Sequence, residues 1–287
     1  MRQTAAVNGV FYAVNVFKQV VFAARLCSSM VKSALIRAYC GGNFIFIDGR
    51  HVALISEGEG EDLLFLHGYL SCKESFYYNL SYFKRFYRVT APDFPGFGAS
   101  APLCSAWSVG DYADWLSKFI GAAGLKRPSV IAHSFGARVV FRYAAEHPGC
   151  FNKIVICGGA GIVKPRTRAY RRRVAAYRFI KKFAPAFAER VFGSAEYRSL
   201  SPIMRQSYKK IVNEDLLACA AHVTSPVLLV YGKNDTVTPI GEEGKAFNSA
   251  ISGSALLEME GGHFCFSQNY NLFNKEVRAF LAGEAQE

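Results

Sequence analysis

A chain of 287 residues, 51% hydrophobic and 20% charged, is long enough to bury one large core, and it shows neither repeats nor low-complexity tracts. That excludes a disordered, fibrous or collagen-like protein. Its formal charge of +12 is local: residues 1–47 hold Arg2, Lys18, Arg25, Lys32 and Arg37 and no acid, and residues 160–210 hold fourteen basic residues against Glu189 and Glu196, which leaves the rest mildly acidic.

Residues 1–42 read as an amphipathic helical extension. Val7, Val10, Phe11, Val14, Phe17 and Val21 recur at helical spacing, with Asn8, Asn15, Lys18 and Arg25 on another face. Lys18 cuts the apolar run too short to span a bilayer. No small-residue cleavage site stands out, and Leu26-Cys27 lacks the small residues expected before a lipoprotein cysteine. Three readings stay open: a helix packed on the body or on a neighbouring subunit, a helix lying in an anionic membrane surface, and a cleaved export signal. The expected location is cytoplasmic, with a peripheral place at the inner membrane face under the second reading.

From residue 43 the pattern changes. Phe44–Ile47 and Val52–Ile55 flank Asp48-Gly49, a hairpin signal. Leu63–Leu66, Val130–Ala132, Ile154–Cys157 and Val227–Tyr231 are continuous apolar runs, as parallel strands covered on both faces require. Helical patterns lie between them, near 75–86, 108–123, 135–147, 240–250 and 269–282. Such alternation predicts an α/β fold with a mostly parallel sheet that opens on an antiparallel hairpin. Residues 160–222 break the rhythm with a long, basic, helical stretch. We read them as a cap inserted between two halves of the core, 43–159 and 223–287, over the sheet edge where open α/β folds bind ligands.

Eight cysteines, at 27, 40, 72, 104, 150, 157, 219 and 265, form no C-x-x-C pair, and no histidine stands at metal-ligand spacing from them. This argues against a zinc or redox centre and for reduced thiols.

The chemistry concentrates at strand ends. Ala132-His133-Ser134-Phe135-Gly136 follows one strand and precedes a helix, so that small residues allow a sharp turn lifting the hydroxyl clear of the sheet. Asp235 follows the strand ending in Tyr231-Gly232, and His263 sits in Gly261-Gly262-His263-Phe264 just past the next. A serine needs a base within hydrogen-bond reach, and that base is oriented in turn by a carboxylate. The order serine, aspartate, histidine resembles that of the α/β-hydrolase fold superfamily, with Ala132 a mild departure from the family's G-x-S-x-G. The basic 160–222 segment and the segments around Asp235 and His263 look most like uncharacterised hydrolases of Firmicutes-type bacteria, a likeness that brings no substrate with it.

The resemblance implies an eight-stranded sheet covered on both faces, with Ser134 as nucleophile, His263 as general base then acid, and Asp235 orienting the imidazole. It makes the amides of Tyr69, in His67-Gly68-Tyr69, and Phe135 the oxyanion donors. His67, Gly68, Asp93 (in Pro92-Asp93-Phe94-Pro95-Gly96), His133 and Gly136 become supporting residues. It implies hydrolysis of a carboxylic ester or lipid through an acyl-enzyme, with no metal and no cofactor. The same triad would serve a thioesterase, C–C hydrolase, acyltransferase or cofactor-free haloperoxidase. A slow-turnover ligand-binding protein is the rival from another class.

In the cap, Arg166, Arg168, Arg171, Arg172, Arg173, Arg178, Lys181 and Lys182 interleave with Tyr170, Tyr177, Phe179 and Phe183. No nucleic-acid module accompanies them, and no nucleic-acid partner is expected. A solvated basic face, docking on an anionic membrane, and steering of an anionic substrate such as a fatty-acyl or phosphorylated ester all fit. Oligomeric state has no signature in the sequence.

Overall fold

The computed structural model describes residues 43–163, 167–183, 197 and 199–283. Residues 1–42, expected from sequence to form an amphipathic extension, and part of the basic segment lie outside the described residues.

Eight strands form one sheet: β1 (Asn43–Ile47), β2 (Arg50–Glu57), β3 (Asp62–Leu66), β4 (Arg88–Pro92), β5 (Ser129–His133), β6 (Ile154–Cys157), β7 (Val227–Gly232) and β8 (Ala255–Met259). Their spatial order is β1-β2-β4-β3-β5-β6-β7-β8. Only the β2–β4 pairing is antiparallel among the five neighbouring pairs from β2 to β7, and the β7–β8 pair is parallel too. Asp48 and Gly49, at φ 50° and 73°, turn the opening hairpin in the left-handed region that such a two-residue connection needs.

The apolar runs are continuous because both sheet faces are covered. Leu64, Leu66, Val130, Ala132, Ile154, Ile156, Leu229 and Tyr231 point into one core cluster. Leu63, Phe65, Ile131, Val155, Leu228 and Val230 point into the other, so strand periodicity sorts neighbours to opposite faces. Helices α1 (Tyr77–Phe83), α8 (Cys265–Gln268) and α9 (Tyr270–Ala282) cover the second face, while α2 (Val109–Ala122), α3 (Phe135–Glu146) and α7 (Lys245–Ala250) cover the first. Ser108 begins α2 with a reciprocal capping box to Asp111. The helical pattern at 75–86 resolves into a tight turn at Lys73–Phe76 followed by α1, and that at 240–250 into a wide turn at Ile240–Gly244 followed by α7.

Between β6 and β7 the described chain carries α4 (Arg168–Phe183), α5 (Pro202–Val212) and α6 (Leu217–Ala221). Met204 and Ile211 bury one side of α5 in the first core cluster, with Leu200 just before the helix, and Leu216 and Ala220 anchor α6 there. Among the described residues no helix is long and apolar enough to cross a membrane.

Candidate functional site

Ser134 stands between β5 and α3 at φ 50°, ψ −102°, a conformation rare for a residue with a side chain. The surroundings force it. Gly136 lies so close to β3 that an added Cβ would sit 2.5 Å from the Leu66 carbonyl oxygen, and the Ser134 N–H donates to the Cys157 carbonyl at 3.0 Å. The chain must therefore reverse sharply, and the hydroxyl points off the sheet's C-terminal edge.

Asp235 reaches the same edge from β7. The N–H groups of Lys233 and Asn234 donate to the carbonyls of Met259 and Gly261, stitching the ends of β7 and β8 together. Gly232 makes this approach feasible, since a Cβ there would lie 2.2 Å from the Gly262 carbonyl. His263 consequently faces Asp235. Its Nδ1 is 2.8 Å from Asp235 Oδ2 and its Nε2 is 3.0 Å from Ser134 Oγ. Both contacts are satisfied by an Nδ1–H tautomer donating to the carboxylate while Nε2 accepts from the serine hydroxyl.

The Asp235 carboxylate is buried and takes four hydrogen bonds. Oδ1 accepts from the N–H groups of Val237 (2.8 Å) and Thr238 (3.0 Å), and Oδ2 accepts from His263 and from the Thr238 hydroxyl (2.9 Å). Burial works to raise its pKa, but the hydrogen bonds from His263 and Thr238 outweigh burial and hold it below the usual carboxylate value. Gly158, at φ 51°, closes the opposite side. A Cβ there would lie 3.1 Å from His263 Nδ1 and 3.3 Å from Asp235 Oδ2.

The supporting residues divide by task. His67 is fully buried; its Nδ1–H donates to the Gly68 carbonyl at 2.7 Å, and its Nε2 accepts from the Phe94 N–H at 3.0 Å. Burial lowers its pKa, so it is a neutral brace between two loops. His133 donates to the His263 backbone carbonyl, and Gly68 makes room for its ring, since a Cβ at Gly68 would sit 2.7 Å from His133 Nδ1. Asp93 accepts from the Lys73 backbone N–H (2.8 Å), the Lys73 ammonium (2.9 Å) and the Ala99 N–H (2.8 Å). It braces the loop after β4 and lies apart from the Ser134–His263–Asp235 chain. Tyr69 follows Gly68 and packs its ring edge-on to Phe97 (4.9 Å) and Phe135 (5.6 Å), while its hydroxyl donates to the Met204 carbonyl of α5 at 3.1 Å. Phe135 opens α3, where a helix leaves its first amides without an intrahelical acceptor.

Four contributors escape sequence reasoning: Thr238, Gly158, Lys73 and Arg138. Arg138 is buried on α3 and donates to the carbonyls of Ile211 (2.9 Å) and Glu214 (3.0 Å), tying the helix behind Ser134 to the end of α5. Thr238 alone left a trace, as a hydroxyl three residues after an aspartate in a turn. Among the described residues no group of three or more His, Cys, Asp or Glu could hold a metal ion, and the six described cysteines are free. Burial pushes the Cys157 thiol well up and Cys265 up to about 11, so neither is a ready thiolate.

A hydroxyl hydrogen-bonded to an imidazole, itself held by a carboxylate, can lose its proton as it attacks an acyl carbon and have that proton returned to a leaving group. Known proteins share the fold. The chain is 24% identical over 265 residues to the "dihydrolipoyllysine-residue acetyltransferase component of acetoin cleaving system" of Cupriavidus necator, covering 84% of this chain and 69% of that one. Among solved structures it resembles an esterase from Exiguobacterium antarcticum (TM-score 0.68, 22% identity, 84% of this chain and 99% of that one). It also resembles a membrane phospholipase A described as a bacterial virulence factor (TM-score 0.69, 20% identity, 99% of both chains). A family profile described as "alpha/beta hydrolase fold" matches residues 63–218. With more than half its length inside that match and its eight strands in the order found here, the chain belongs to the α/β-hydrolase fold family.

Proposed function

We propose that the protein is a serine hydrolase that cleaves a carboxylic ester or a related acyl bond. One observation carries this reading: the serine–imidazole–carboxylate chain at 3.0 and 2.8 Å, set where three strands end. In the scheme, Ser134 Oγ attacks the acyl carbon as His263 Nε2 takes its proton, and the tetrahedral oxyanion settles against the amides of Tyr69 and Phe135. His263 then hands the proton to the departing alcohol, leaving an acyl-enzyme. Water, deprotonated by the same imidazole, releases the acid and restores Ser134. Asp235 holds the tautomer and stabilises the imidazolium. Each proton and electron pair moves between these side chains, the substrate and water.

Residues 160–222 act as a cap in this reading, with α5 roofing the site through Tyr69 and Met204. The fold is shared with an esterase and a phospholipase, which supports an ester or lipid substrate, while the acetyltransferase relative supports a second acceptor. An alcohol or thiol taking the acyl group in place of water would turn the same intermediate to acyl transfer.

Fluorophosphonate labelling tests the nucleophile: the native protein should be labelled and Ser134→Ala should not. Labelling that survives the substitution places the nucleophile elsewhere. Comparing p-nitrophenyl esters, acyl thioesters and vinylogous diketones then separates ester, thioester and C–C cleavage.

A further inference from the structure

We infer that the solvent-facing side of α4 is a docking surface for an anionic lipid bilayer. The helix runs sixteen residues, Arg168–Phe183, with seven basic residues and no acidic one. Among its described side chains, the exposed ones are Arg168, Arg172, Ala175, Ala176, Phe179, Lys182 and Phe183. They recur at three- and four-residue steps, which places them on one face spanning about a third of the helix circumference.

That face holds arginine, lysine, phenylalanine and alanine only. Phe179 and Phe183 are 66% and 76% exposed, one turn apart, with ring centroids 5.4 Å from each other. A pair of phenylalanines left in water on a folded surface marks a contact site. A helix that carries bulky apolar rings beside basic residues is the kind that lies in a membrane interface, rings among the acyl chains and cationic heads among the phosphates. The absence of any acidic or amide side chain on this face favours lipid over a protein partner, because a protein interface ordinarily pairs acceptors as well as donors around its rim. Charge complementarity fixes the sign: residues 160–210 concentrate fourteen basic residues against two acidic, in a chain whose other core segments are mildly acidic.

The test uses the full chain and co-sedimentation with vesicles of phosphatidylcholine alone or with phosphatidylserine added, at low and high salt. The expected result is preferential binding to the anionic vesicles that weakens with salt. Arg172→Glu with Lys182→Glu should lower affinity for anionic vesicles by about tenfold or more. Phe179→Ser with Phe183→Ser should weaken binding several-fold and leave the salt dependence in place. Both variants should keep native circular dichroism and hydrolyse a soluble ester at the native rate. Equal binding to the two vesicle types overturns the inference, as does native-like binding by both variants. Binding is read without turnover, so Ser134→Ala protein should sediment as the native protein does. A protein that binds vesicles but resists fluorophosphonate would sink the hydrolase reading and leave the docking surface standing.

Discussion

His133 Nε2 donates to the backbone carbonyl of His263 at 2.9 Å, so the residue before Ser134 fixes the loop that carries the imidazole. The two rings lie 4.7 Å apart, and His133 Nδ1 takes no hydrogen bond from any described residue. Burial, then the neighbouring His263 charge, pushes the His133 pKa down from 6.5 to about 3. Above pH 6.5 both folded and unfolded chains hold it neutral. Below that value only the unfolded chain takes up the proton, so stability falls as the pH drops from 6.5 towards 3. His67, also buried and lowered, acts in the same direction. The unfolding free energy should fall between pH 7 and about pH 5 by an amount on the order of a few kcal/mol, with a matching drop in melting temperature. His133→Gln keeps a donor and cannot titrate, and its melting temperature should depend less steeply on pH over that interval.

Thr238 supplies two of the four hydrogen bonds on Asp235. Thr238→Val preserves shape and the backbone donor while removing the hydroxyl. Losing one hydrogen bond to a charged acceptor should cut kcat by about three- to tenfold with KM nearly unchanged. Steady-state kinetics on a soluble ester reads this directly. A variant with native kcat would reduce Thr238 to a packing residue.

Lys73 is 1% exposed and its ammonium lies 2.9 Å from Asp93 and 2.7 Å from Glu74. Burial favours the neutral amine, but Asp93 and Glu74 raise its pKa and keep it charged. Lys73→Met strands the Asp93 carboxylate in the interior and should cost about 3–5 kcal/mol in urea unfolding. Adding Asp93→Asn should recover part of that loss, since the neutral amide no longer needs the ammonium.

Gly158→Ala should damage activity more than stability. Its Cβ would press on His263 Nδ1 and Asp235 Oδ2 at 3.1 and 3.3 Å, and φ 51° adds backbone strain. The fluorophosphonate labelling rate should drop by at least about tenfold, because a small displacement of the imidazole breaks the line to Ser134. The melting temperature should fall by only a few degrees.

Two kinds of strand are legible from sequence: those buried on both faces, and the opening β1–β2 hairpin, marked by its Asp48-Gly49 turn. Leu63–Leu66, Val130–Ala132, Ile154–Cys157 and Val227–Tyr231 each match a strand in the interior of the sheet. β8 is an edge strand, half-exposed along most of its length, and Glu258 breaks its apolar stretch after Ala255-Leu256-Leu257. The positions of Ser134, Asp235 and His263 could be read because each sits in a local turn signal at a strand end. Lys73 looks like a surface lysine beside Glu74. Only the folding of the loop after β4 around Asp93, twenty residues away, makes it a buried ion. Gly158 is equally silent, because its function is the absence of a side chain facing residues far along the chain.

Tyr69 joins floor and roof. Its amide belongs to the loop proposed to hold the oxyanion, and its ring and hydroxyl are clasped by α5 through Tyr208 and Met204. In the proposed reaction, any displacement of α5 by a long acyl chain would therefore pull on the group that must sit still when the carbonyl becomes tetrahedral. Under the proposed acyl chemistry, chain-length preference and turnover are mechanically linked, and Tyr69→Phe, which loosens the clasp, should slow turnover of short esters while raising the relative rate on bulky ones, read by steady-state kinetics across a chain-length series.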